Sequence, residues 1–181
     1  MKIYNYIFII LLITVLIQSC DKPGGNKHIY KDTIVEGLTP DQTGWNVTVR
    51  FVDSSTTKAI LVAGRTRVYQ KRNETLLDGG IEVQFFSTET GERTSKLTAD
   101  SAVIDDNTKN MVAKGNVIVI ADSSGTKLET SVLHWNNKTR KIYSSEYVEI
   151  TSASETLKGW GFESDENLNN YKIFKVSGEK R

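Results

Sequence analysis

Two stretches of this chain lie over one another without a gap. LTADSAVIDDNTKNMVAKGNVIVI, from Leu97, superimposes on LETSVLHWNNKTRKIYSSEYVEI, from Leu128, at a constant offset of 31. Leu97 then meets Leu128, Ile104 meets Trp135, Met111 meets Ile142, Val117 meets Val148 and Val119 meets Ile150. The polar centre matches too: Asp105-Asp106 meets Asn136-Asn137, Thr108 meets Thr139, and Lys109 meets Arg140. An earlier copy begins at Leu61, offset by 36, so that Ala63 meets Ala99, Val68 meets Ile104, Gly79 meets Gly115, Ile81 meets Val117 and Val83 meets Val119. A fainter fourth copy runs from Leu157 to about Val176. Each unit reads strand, polar turn, strand. A hairpin of this kind cannot bury its own apolar face, so the copies must stack and share a core.

Within the copies the apolar residues alternate with a period of two, not 3.6. Trp45 to Phe51 and Ile81 to Phe85 read as half-buried strands, and Val117 to Ile120 as a strand apolar on both faces. Clusters of Asn, Asp, Gly, Ser and Thr separate the strands, as turns require. No segment carries a convincing amphipathic-helix stripe. In the first copy the inward phase collects Leu97, Ala99, Ala102, Ile104, Met111, Ala113, Val117 and Val119; in the second, Leu128, Leu133, Trp135, Ile142, Val148 and Ile150. The steps from Ala99 to Ala102 and from Thr130 to Leu133 slip the alternation by one residue. A β-bulge or corner there turns the strand while keeping one face inward. The expected fold is all-β: a jellyroll-like open sandwich of stacked antiparallel hairpins with an unpaired strand at each end. Such edges invite a further strand from a partner. The last pair of strands, with Leu157, Gly159, Trp160, Phe162 and Ile173, has no later copy to cover it and is the candidate partner edge.

Ahead of the repeats the composition changes. Lys2 is followed by an apolar run from Ile7 to Ile17, about eleven residues, which is too short to span a bilayer comfortably and fits the core of a signal peptide. It ends in Ile17-Gln18-Ser19-Cys20, an aliphatic, a polar and a small residue before the sole cysteine, which resembles a bacterial lipobox. A thiolate is the side-chain nucleophile suited to accept a diacylglyceryl group, and acyl chains hold a protein to a membrane at about 0.8 kcal/mol per buried methylene. Asp21-Lys22-Pro23-Gly24-Gly25-Asn26 has the composition of a flexible linker. The expected organisation is therefore a lipoprotein signal peptide over 1–19, a lipidated Cys20 with a tether over 20–44, and a periplasmic β-domain over 45–178.

Several function classes are excluded. Lys and Arg total 23 against 22 Asp and Glu, and no basic stripe is present to neutralise phosphates, so nucleic acid is not a partner. His28 lies in the tether and His134 on the outward phase of a strand, with no cluster of metal ligands around either. Asp105 and Asp106 could suggest paired carboxylates, but they occupy a turn where Asp is expected for backbone reasons. No nucleophile triad, CxxC pair or phosphate loop occurs, and Gly79-Gly80 and Gly115 read as turn or bulge glycines. The chain is expected to be neither an enzyme nor a cofactor carrier.

The repeat core LTADSAVIDDNTKNMVAKGNVIVI resembles the jellyroll shared by LptA, LptC and the N-terminal domain of LptD. KLETSVLHWNNKTRKIYSSEYVEI followed by LKGWGFESDENLNNYKIFKVSG is similar to the LptC family in particular. Familiar LptC proteins carry an uncleaved transmembrane helix, so the lipobox is a departure. The resemblance implies a carrier that holds the acyl chains of lipopolysaccharide between its sheets. It implies that the N-terminal edge joins the LptB–LptF–LptG transporter and the C-terminal edge an LptA-like bridge, at the periplasmic face of the inner membrane. The implied acyl-chain groove is the inward set above together with Leu61, Ala63, Val68, Ile81 and Val83, in which Ala63, Ala99, Ala102 and Ala113 leave room between the sheets. A second reading is a cell-surface β-sandwich lipoprotein, held in the outer membrane, that binds carbohydrate through Trp45, Trp135 or Trp160. A third is an LptA-like bridge protein.

Overall fold

The computed structural model describes residues 39–177; the apolar run, Cys20, His28 and most of the tether lie outside them. Ten strands follow in order: β1 (Gln42–Asp53), β2 (Thr56–Tyr69), β3 (Glu74–Phe86), β4 (Arg93–Ala99), β5 (Ser101–Asp105), β6 (Met111–Ala121), β7 (Lys127–Asn136), β8 (Lys141–Thr151), β9 (Thr156–Asp165) and β10 (Lys172–Val176). β1 starts slightly ahead of Trp45, and the Asp41 N–H donates to the Val68 carbonyl at 2.8 Å. All pairings are antiparallel, in the order β1-β2-β3-β4-β6-β7-β8-β9-β10, and they join successive strands except that β5 continues the line of β4, so that β3 and β6 each pair with both.

One line of irregularity crosses the whole sheet. The register shifts between Ala63 and Arg65 on β2, Lys114 and Val117 on β6, Thr130 and His134 on β7, and Ser144 and Tyr147 on β8. Asp100 interrupts the strand that would otherwise join β4 to β5. These are the corners expected from the slips at Ala99–Ala102 and Thr130–Leu133, repeated in each copy. Asn46, Gly80, Asn116 and Gly161 along the same line have positive φ. Polar groups freed at the corner are met locally: Asn116 Nδ2 donates to Asp100 Oδ2 at 2.9 Å, Ser144 Oγ to the Val132 carbonyl at 2.7 Å, and Thr130 Oγ1 to the Tyr147 carbonyl at 2.9 Å. The corner divides each long strand into two halves. The halves before and after it form two leaves of one folded sheet.

The turns of successive copies match in detail. Asp105 Oδ1 accepts the Asn107 and Thr108 N–H groups, and Asn136 Oδ1 accepts those of Lys138 and Thr139. Lys109, Arg140 and Asn73 each close their turn in the left-handed conformation, at φ 60, 56 and 50. The outward face is laced by cross-strand ion pairs, including Lys158–Glu149 at 2.9 Å and Lys96–Glu82 at 3.6 Å. The inward face is almost wholly apolar. Trp135 of the second leaf packs edge-on against Phe51, with ring centroids 5.0 Å apart, and against Phe85 at 5.6 Å, both on the first leaf.

Candidate functional site

In an antiparallel sheet, residues opposite one another share a face, so the register reads out the interior row by row. On the first leaf one row runs Val49, Leu61, Val83, Leu97, Val119, Leu128, Ile150, Leu157, from β1 to β9. Nearer the corner, Val47, Ala63, Ile81 and Ala99 form a row continued by Val117, Thr130, Val148 and Gly159. On the second leaf Leu77, Ala102, Ala113 and Leu133 align. Beyond them run Val68, Thr75, Ile104, Met111, Trp135, Ile142 and Ser164. Every residue named for the groove from sequence faces this interior; all are buried except Val68, which is half-buried where its row ends.

The leaves do not meet equally everywhere. Facing β1, where Val49 and Phe51 oppose Thr75 and Ile104, a cleft of about 400 Å³ remains, with Arg50, Lys109 and Asp106 at its rim. Away from that cleft the leaves are held by Glu166, in the loop between β9 and β10. Its carboxylate accepts from Trp135 Nε1 at 2.5 Å and from Arg140 Nε at 2.8 Å. Burial pushes the Glu166 carboxyl above its ordinary value, with Arg140 and Trp135 opposing the shift.

Both ends of the sheet are strands with one side unpaired among the described residues. At the C-terminal end β10 lies over β9 from Gly159 to Glu163. Ser177 N–H donates to the Lys158 carbonyl at 2.8 Å. Next to it the register turns the backbone groups of Lys175 towards β9 and those of Val176 outward, and the alternation breaks at Phe174, which has no partner opposite Gly161 at the corner. Of the residues expected at this edge, Ile173 lies on the outermost strand β10, and Leu157, Gly159, Trp160 and Phe162 lie on β9, one strand in. Phe162 is fully buried, and Gly159 is bare because β10 crosses it, with the Lys175 carbonyl 2.4 Å from where a Cβ would stand. The outermost strands carry exposed apolar residues, Trp45 and Val52 on β1 and Phe174 and Val176 on β10.

Stacked hairpins folded about a common corner, with apolar rows running between two open edges, form one side of the identification. The other is sequence: the model of the family described as "Lipopolysaccharide-assembly, LptC-related" matches residues 7–177. The chain belongs to the LptC family. Among solved structures it is similar to LptH of Pseudomonas aeruginosa, titled the LptA-homologous periplasmic component of the lipopolysaccharide transport device, at 12% identity and a TM-score of 0.47 over 81% of this chain and 94% of that one. No curated protein matches by sequence.

For this LptC-family chain, six core residues, Phe51, Ala59, Leu77, Phe85, Ala121 and Leu168, went unnamed as site residues at the level of sequence. Phe51 and Phe85 follow the phase of their strands but fall outside the aligned parts of the copies. Leu168 sits in a loop at φ 56 and enters the core, 2% exposed; no periodicity marks it. The tryptophans do not form a common platform. Trp135 is interior, while Trp45 and Trp160 lie on β1 and β9, at opposite ends of the strand order. His134 is half-buried and stacks on Tyr143 at 4.8 Å, and desolvation holds its pKa below the ordinary value. Asp105 is occupied in its turn, where the Thr108 N–H holds its carboxyl below the usual range.

Proposed function

We propose that this chain receives lipopolysaccharide from the LptB–LptF–LptG transporter at its β1 edge, carries the acyl chains between its leaves, and passes them at its β10 edge to an LptA-like periplasmic bridge. The supporting observation is the unbroken aliphatic row from Val49 to Leu157, which parallels the direction in which partner sheets would extend this one. Each acyl methylene removed from water contributes about 0.8 kcal/mol, so a row of this kind favours a lipid tail along its whole length. The cleft at β1, apolar inside and carrying two cations, Arg50 and Lys109, against the one carboxylate of Asp106 at its rim, suits the entry of an amphiphile with anionic groups. Cys20 would be acylated and hold the domain at the periplasmic face of the inner membrane; an unmodified Cys20 thiol in the membrane fraction, read by mass spectrometry, would remove this part of the proposal.

A photo-reactive residue at Ala99 or Val119, both inward, is expected to capture lipopolysaccharide in cells. One at Lys114 or Lys138, both exposed, is not. Equal labelling of the two pairs would sink the groove reading. Co-purification of the transporter with the chain tests the hand-off.

A further inference from the structure

We infer that the β7–β8 turn and the β9–β10 loop form a releasable strap that holds the two leaves shut, and that the strap must open before an acyl chain can lie between them; the inference rests on the groove reading above. Its centre is Glu166, 3% exposed. While its carboxylate is bound by Trp135 and Arg140, its backbone carbonyl accepts from Ser95 Oγ at 2.6 Å. Arg140 Nη2 reaches further and donates to the Phe86 carbonyl at 2.6 Å. Glu166 and Arg140 extend from the second leaf, whereas Ser95 and Phe86 belong to the first. Two short hydrogen bonds therefore cross the mouth of the sandwich. Lys58 Nζ adds a longer one to the Asn137 carbonyl at 3.4 Å.

The chemistry of the strap differs from that of the core it closes. Ser95 is the single hydroxyl in the inward row Phe51, Ala59, Phe85, Ser95, Ala121. Apolar residues of similar size hold a permanently closed interior at least as well as a buried ion pair. A polar contact, in contrast, is exchanged for water when it opens, so its release costs little compared with tearing apolar surface apart. Arg140 Nη1, Ser164 Oγ and Asn167 Oδ1 are buried without a partner in the closed form, and each would regain water on opening. The strap is also tied to the obstruction itself. Trp135, which donates to Glu166, fills the space between the leaves against Phe51 and Phe85, so freeing Glu166 releases the side chain that blocks the way in from the β1 cleft.

The test uses the full chain with a photo-reactive residue at Val119 and purified lipid A as the probe. Arg140→Ala removes both the Phe86 and the Glu166 contacts; Ser95→Ala removes one bond and is the milder variant should the first fail to fold. Amide hydrogen exchange over 86–95 and 137–140 and the rate of lipid A capture are measured together. Both variants are expected to exchange faster in these segments and to capture lipid A faster, Ser95→Ala by about two- to tenfold, the change that loss of one such hydrogen bond makes, and Arg140→Ala by at least as much. Unchanged exchange would overturn the strap. Faster exchange with capture at or below the wild-type rate would overturn its role in entry while leaving the groove reading intact. Faster exchange with no capture by any protein, wild type included, would instead overturn the groove reading and, with it, the strap's role in entry.

Discussion

Gly64 and Gly80 stand on adjacent strands at the corner, yet they are glycines for different reasons. Gly64 has an ordinary φ, but a Cβ on it would lie 2.7 Å from the Gly79 carbonyl oxygen, a backbone atom that cannot swing aside. Gly80 has nothing within 4 Å of such a Cβ and needs only its φ of +86. Gly80→Ala should therefore cost about 1–2 kcal/mol, the strain of a left-handed alanine. Gly64→Ala should cost more, about 2–4 kcal/mol, because β2 and β3 must separate where the sheet turns. Chemical denaturation of the two variants gives the order directly, and equal costs would mean that the corner tolerates widening. From sequence, Gly79-Gly80 was legible as a turn or bulge, since paired glycines ahead of a strand announce unusual dihedrals. Gly64 was not, because a close backbone approach leaves no trace in the residues around it.

At the level of strands, the repeat offset was enough to assign which residues face inward, because strand alternation leaves only two choices of face and the copies agree on one. The corner was legible for the same reason, as one slipped residue in each copy. What the sequence left open was the polarity of the edge. Whether a strand's odd or even residues turn their N–H groups outward depends on its pairing register, which side-chain pattern does not encode. On β10 the register gives the outward role to Val176 and turns Lys175 towards β9. Val176→Pro should therefore remove an outward donor and block an added strand while costing the domain little, as proline does on an edge. Lys175→Pro should break the pairing with β9 and lower stability by about 3 kcal/mol. The expected result in pull-downs is loss of the LptA-like partner with Val176→Pro and retention of the transporter through β1. Thermal melts should separate the two variants. If Val176→Pro released the transporter and kept the bridge, the polarity proposed for the chain would be reversed.

Over the whole molecule, a stack of hairpins would ordinarily behave as a ladder in which each copy feels only its neighbours. The fourth copy was faint in sequence because the interior changes there. Ser164 ends the row that Trp135 and Ile142 occupy, and Leu168 comes in from the following loop to help fill the space. Trp135 breaks the ladder logic more strongly. It sits on β7 but rests on Phe51 of β1 and Phe85 of β3, strands far from it in sheet order, because the folded leaves bring distant copies face to face. Its indole also anchors Glu166. Trp135→Ala should thus cost about 3–5 kcal/mol, and the loss should not be local. Amide exchange should rise in β1 and β2, whose inner end loses the surface Phe51 packs on, at least as much as in β8, to which Trp135 is hydrogen-bonded along the sheet. Trp135→Phe, which keeps a ring between the leaves but not the donor to Glu166, should restore most of the protection of β1 and β2 while leaving the β9–β10 loop exposed to exchange. If Trp135→Ala instead loosened only β7 and its two sheet neighbours, the domain would be a simple ladder after all, and closure of the leaves would contribute little to its stability.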